Sequence, residues 1–169
     1  MKKRLQNVIL ISKVILAAII EFWLQLSLHE MGHAIFALIT KNKILNVKLG
    51  VVSYVDIFLK SEADYIIISI GPYILLYIIW ILMYFINSKK FFINMLRTVL
   101  FISTEIQLGI NIVELIINKK VENYIEFDIG KFVYYSSYNK YIVCVISTLI
   151  IIITCVFEVK KIRKVYNEV

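Results

Sequence analysis

From residue 8 to about residue 40 the chain is apolar almost without a break. Only Ser12, Lys13, Glu21, Gln25, Ser27 and the stretch His29-Glu30-Met31-Gly32-His33 interrupt it. An apolar run of about 18 residues or more can satisfy its backbone polar groups in lipid only by coiling into a helix, so this run predicts a membrane-spanning helix. Further apolar runs fall at about 65–86, 98–118 and 141–157. The fold class expected is therefore an all-α polytopic membrane protein with about four transmembrane helices, forming a single membrane-embedded domain over residues 1–169. Composition agrees: 60% of residues are hydrophobic and 18% charged, against about half and about a quarter in soluble domains.

The formal charge of +7 does not point to nucleic acid. Lys2, Lys3 and Arg4, Lys89 and Lys90, and Lys160, Lys161, Arg163 and Lys164 bunch at the ends of apolar runs, where basic residues anchor and orient spans. No small-x-small cleavage site precedes Glu21, so the first run is expected to stay as an uncleaved anchor in an integral, multi-pass protein. Cys144 and Cys155 lie in one predicted span, about 16 Å apart along a helix, too far to bridge, and read as buried thiols.

Between the first two spans the pattern changes. Leu45, Val47 and Leu49 alternate with Asn46 and Lys48, and Val51 to Phe58 is rich in strand formers, so residues 44–60 predict a short β-hairpin or membrane-edge loop. Its edge could pair with an extended substrate. Gly71-Pro72, holding the chain's one proline, interrupts the second span early, and the kink is expected to face protein. Residues 87–97 read as a basic loop containing Lys89, Lys90 and Arg97. In the third span Thr104, Gln107, Asn111 and Glu114 share one helical face, which must be covered by other helices or line a polar cavity. Residues 119–140 read as a polar connector.

Both histidines of the chain fall in the His29-Glu30-Met31-Gly32-His33 stretch. On a helix, residues four apart share a face, so the imidazoles of His29 and His33 can converge on one metal ion. Glu30 lies beside them, placed to take a proton from water without being a ligand, the division of labour of His-Glu-x-x-His metalloproteases. Glu21, Gln25, His29 and His33 recur every four residues and give the first helix a polar stripe that must avoid lipid. Within it, Glu21 reads as a helix-packing contact. Catalytic zinc usually takes three protein ligands. With no third histidine, the missing one is a carboxylate: Asp56, Asp64, Glu105, Glu114, Glu122, Glu126 or Asp128.

These features together resemble the site-2 protease family of intramembrane zinc metalloproteases. The resemblance rests on His29-Glu30-x-x-His33 in a membrane helix, Gly71-Pro72 in the following span, and Asn111 with Asp128-x-Gly130 after it. It covers residues 20 to 135 or so. Its last element departs from the family form, which has adjacent Asp-Gly and a shorter spacing to the asparagine. The resemblance implies Zn2+ held by His29, His33 and Asp128, with Glu126 and Glu114 as reserve ligands, Glu30 as general base and Asn111 in substrate binding. It further implies a small bacterial-type member in the cell membrane, hydrolysing a membrane protein or small peptide precursor. The rival expectations are a non-enzymatic accessory or immunity-type membrane protein, and a metal transporter.

Overall fold

A computed structural model describes residues 2–49, 54–86, 91–118 and 127–167. Its elements run in the order α1 (Lys2–Ile39), β1 (Lys43–Lys48), β2 (Tyr54–Phe58), α2 (Glu62–Phe85), α3 (Phe91–Ile117), α4 (Asp128–Ser136) and α5 (Lys140–Asn167). Four helices are long and apolar enough to cross a membrane, over Ile11–Ile39, Glu62–Phe85, Phe92–Ile117 and Lys140–Lys164. The chain is an all-α polytopic membrane protein, as its apolar runs predict. Its outward faces carry exposed Ile15, Leu16, Ile19 and Trp23 on α1 and Ile142, Ile146, Leu149 and Ile153 on α5, the side chains a helix needs against lipid.

After α1 the chain turns through Lys41, which adopts a left-handed φ of 59°. Strands β1 and β2 then pair antiparallel, with a register irregularity between Ile44 and Asn46. On β2 Val55 and Ile57 are half-buried between exposed neighbours, but Leu45 and Val47 of β1 and Leu49 after it, the apolar side of the sequence alternation, are all exposed, and Ile44 is the half-buried residue of that strand. Asn42 closes the base of the hairpin: its side chain accepts the Lys60 backbone N–H from beyond β2 and donates to Thr40 at the end of α1. Helix α2 opens with the Asp64 carboxylate accepting the Ser61 N–H.

Helices α1 and α2 meet backbone to backbone at Gly32 and at Gly71-Pro72. A Cβ added to Gly32 would lie 2.4 Å from the Pro72 Cα, and one added to Gly71 would lie 2.7 Å from the Phe36 ring. Gly71 and Pro72 therefore face protein, as expected of them, and both residues are buried. A second contact zone gathers Tyr73 of α2, Leu108, Ile112 and Leu115 of α3, Ile129 and Val133 of α4, and Val143 and Cys144 of α5 into one apolar core.

Three sequence expectations need correction. Helix α3 begins at Phe91, so Arg97 lies within a buried helical segment and not in a basic loop. What makes this tolerable is charge pairing: Arg97 bonds Glu158 of α5 through Nε at 3.2 Å and Nη2 at 3.1 Å, and Trp80 and Thr98 donate to the same carboxylate. The last span, expected to end at about 157, belongs to helix α5, which runs to Asn167 with Glu158 buried inside it as the partner of Arg97. The polar connector at 119–140 contains a helix, α4, over Asp128–Ser136.

Candidate metal centre

The motif helix brings His29 and His33 to one face, with ring centroids 5.0 Å apart. Helix α1 ends six residues beyond His33, and Ile68 lies six residues into α2, so His33 sits about 9 Å and His29 about 15 Å below the end of the bundle that carries the hairpin. Opposite them stands Asp128, the first residue of α4. Its Oδ2 is 2.9 Å from His29 Nε2 and its Oδ1 is 3.5 Å from His33 Nε2. Donors sharing one tetrahedral zinc at about 2.0–2.2 Å stand about 3.3–3.6 Å apart, so the His33 separation falls within what the ion needs and the His29 separation is a few tenths of an ångström short of it. Among the described residues His29, His33 and Asp128 form the His/Cys/Asp/Glu group able to hold a metal, with one ligand atom from each lying within 4.8 Å of the others.

The carboxylate is suited to that place. Burial pushes the Asp128 carboxyl up, but the imidazoles of His29 and His33 outweigh burial and hold it below the usual carboxylate range. The N-terminus of α4 adds a favourable dipole to an anion at its first position, and Lys131 Nζ lies 3.7 Å from Oδ1. The other carboxylates among the described residues are committed elsewhere or remote. Asp56 is exposed on β2, Asp64 bonds at the start of α2, and Glu105 accepts from Tyr77 and Thr154. Glu114 is half-buried on α3 and outside the triad. Glu122 and Glu126 lie outside the described residues.

Each ring has a partner on its far nitrogen. His33 Nδ1 is 2.9 Å from the Ile68 carbonyl of α2, and because a carbonyl only accepts, Nδ1 carries the hydrogen. That leaves Nε2, the atom facing Asp128, with its lone pair available to a metal. His29 Nδ1 is 3.1 Å from the Gln107 side-chain amide, which in turn bonds Gln25 at 3.0 Å. Two proton arrangements suit the same heavy-atom positions. With Gln107 donating to Nδ1, His29 donates through Nε2 to Asp128. With both amides turned over, Gln107 accepts from Nδ1–H and Nε2 is released for a metal. Gln107 is thus a member of the site that the helical-face pattern places on a polar wall without revealing its contact to His29.

Asn111 supports the carboxylate from behind. Its Oδ1 accepts the Ile129 N–H at 3.2 Å, satisfying one of the free donors at the start of α4, and its Nδ2 donates to the Gln107 carbonyl at 3.0 Å. The side chain is buried and both ends of its amide are engaged. If the triad holds zinc, replacing Asn111 with leucine is expected to loosen α4 and weaken that binding by about 10–100-fold, the usual cost of removing an outer support. Chelator competition on the purified protein checks this, and unchanged zinc affinity with a raised KM would instead favour a substrate contact.

Glu30 is half-buried and within electrostatic range of His33, His29, Asp128 and Lys131. Tyr73 sets its ring edge-on to His29 with centroids 6.0 Å apart, and its buried hydroxyl has no hydrogen-bond partner among the described residues. Tyr73 and Ile129 also border an apolar cleft of about 590 Å³, lined by Ile70 and Ile74 of α2 and Ile142 and Ile146 of α5. Further down α1, Gln25 and Glu21 are buried, and Glu21 Oε1 has no partner among the described residues. No family model, characterised protein or solved structure matches this chain.

Proposed function

We propose that this protein is an intramembrane zinc metalloprotease of the site-2 protease type, working in the cell membrane of a bacterium on a membrane protein or small peptide precursor. The observation that carries the reading is the convergence of His29, His33 and Asp128, one ligand atom from each within 4.8 Å of the others. A glutamate directly follows the first histidine. Bound there, zinc would supply the Lewis acidity that polarises a peptide carbonyl and acidifies an attacking water. Glu30 takes the water's proton on its carboxylate and passes it to the departing amine nitrogen, so that one peptide bond breaks and one water is consumed. Asn111 and Gln107 hold Asp128 and His29 in place while this happens. The apolar cleft beside Tyr73 suits an apolar substrate segment, which must leave its helix to present a carbonyl.

Reconstituted with single-span membrane substrates, the protein is expected to cleave at least one of them, to lose cleavage when a zinc chelator is added, and to regain it with added zinc. Cleavage indifferent to chelation would overturn the reading. The buried row of Glu21, Gln25 and Gln107 leading to His29 favours one rival, a metal transporter. Zinc flux into vesicles that survives Glu30→Gln would establish that rival.

A further inference from the structure

In an α-helix the carbonyl of residue 68 receives the N–H of residue 72. Residue 72 is proline, inside α2, and has no N–H to give. The carbonyl left without its helical donor is therefore that of Ile68, and it is this carbonyl that lies 2.9 Å from His33 Nδ1. The proline ring also crowds the carbonyl four residues back, which turns it outward from the helix. Gly32, next to His33, lets α1 come close enough for the ring to meet it: a side chain there would run into Pro72 itself, 2.4 Å from Cα and 2.8 Å from N.

We infer that Pro72 is a positioning residue for the metal centre: by withholding an amide hydrogen it frees the Ile68 carbonyl to bind His33 Nδ1–H, fixing the ring so that Nε2 faces the metal. The inference rests on the zinc reading for its affinity consequence and on geometry alone for the state of the ring. An alanine at 72 would restore a competing N–H. Two acceptor lone pairs allow the carbonyl to serve both donors, but the intrahelical bond draws it back along the helix axis and away from α1.

The test uses the full-length protein in detergent with ¹⁵N-labelled histidine, of which the chain has two. Zinc affinity is measured by chelator competition and the protonation of the His33 ring nitrogens by NMR. Three forms are compared: wild type, Pro72→Ala, and a chain carrying lactic acid at 72. Lactic acid has an ester oxygen where alanine has N–H, so like proline it offers no hydrogen to the Ile68 carbonyl, but it lacks the ring. Pro72→Ala is expected to bind zinc at least tenfold more weakly, in line with the loss of an outer partner, and the lactic acid form to recover to within about threefold of wild type. Equal affinity in wild type and Pro72→Ala, or a lactic acid form as weak as alanine, would overturn the inference. Should Pro72→Ala fail to fold, the ring decides: a hydrogen held on Nδ1 of His33 in both wild type and the lactic acid form supports the inference, and a hydrogen on Nε2 or weak binding in the lactic acid form defeats it. If wild type itself takes up no zinc, the protease reading fails. The inference is then judged on the ring, which must carry its hydrogen on Nδ1 in wild type and in the lactic acid form and shift it in Pro72→Ala.

Discussion

Glu30→Gln is expected to stop peptide-bond hydrolysis while leaving zinc in place. The amide has nearly the shape of the carboxylate but cannot accept a proton at neutral pH, and loss of a positioned general base typically lowers turnover by about 10²–10⁴-fold. None of the three converging ligand atoms belongs to Glu30, so the metal should remain at the wild-type stoichiometry. The measurement pairs initial cleavage rates on a substrate that wild type cuts with metal analysis of the same preparations. A variant that still cleaves at the wild-type rate would remove Glu30 from the mechanism. One that loses both cleavage and zinc would assign it to the metal's shell.

Gly32→Ala carries the largest expected structural effect. A methyl group at that position would sit 2.4 Å from the Pro72 Cα and 2.8 Å from its nitrogen, both backbone atoms that no rotamer change can move. The helices must separate, and overpacking of this kind typically costs about 1–3 kcal/mol. Separation also draws His33 from the Ile68 carbonyl, so zinc affinity should fall together with thermal stability in detergent. Gly109 provides the contrast, because a Cβ there meets nothing within 4 Å. Gly109→Ala should leave zinc unchanged and be neutral or slightly stabilising, alanine being the better helix former. Equal behaviour of the two variants would mean that the α1–α2 crossing does not constrain the site.

The architecture was largely legible because lipid leaves a chain few choices. An apolar run the length of a bilayer must be a helix, and period-two alternation around Leu45 to Phe58 marks a hairpin. Arg97 misled boundary reading for a physical reason: alone it would end a span, and only its pairing with Glu158 across α3 and α5, invisible at 61 residues' separation, lets both be buried. The helix α4 is hard to read because its nine residues are mixed in polarity and its first turn is held by Asn111 from another element. The spacing of Thr104, Gln107, Asn111 and Glu114 announces a covered polar face but not what each residue touches. In the structure Gln107 meets a histidine and Asn111 meets the start of α4. His29 and His33 are legible from spacing alone, whereas Asp128, one of seven candidate carboxylates by residue type, is singled out in the sequence only through resemblance. The structure brings it to 2.9 Å from His29.

Metal analysis of the purified full-length protein tests the central claim most directly, comparing wild type with His33→Ala and Asp128→Ala at matched folding. The account predicts close to one zinc per chain in wild type and loss of it in both variants, since each removes one of the three ligands. Folded wild type that takes up no zinc even when supplied with it would contradict the account, and zinc retained by Asp128→Ala would contradict the ligand set on which it stands.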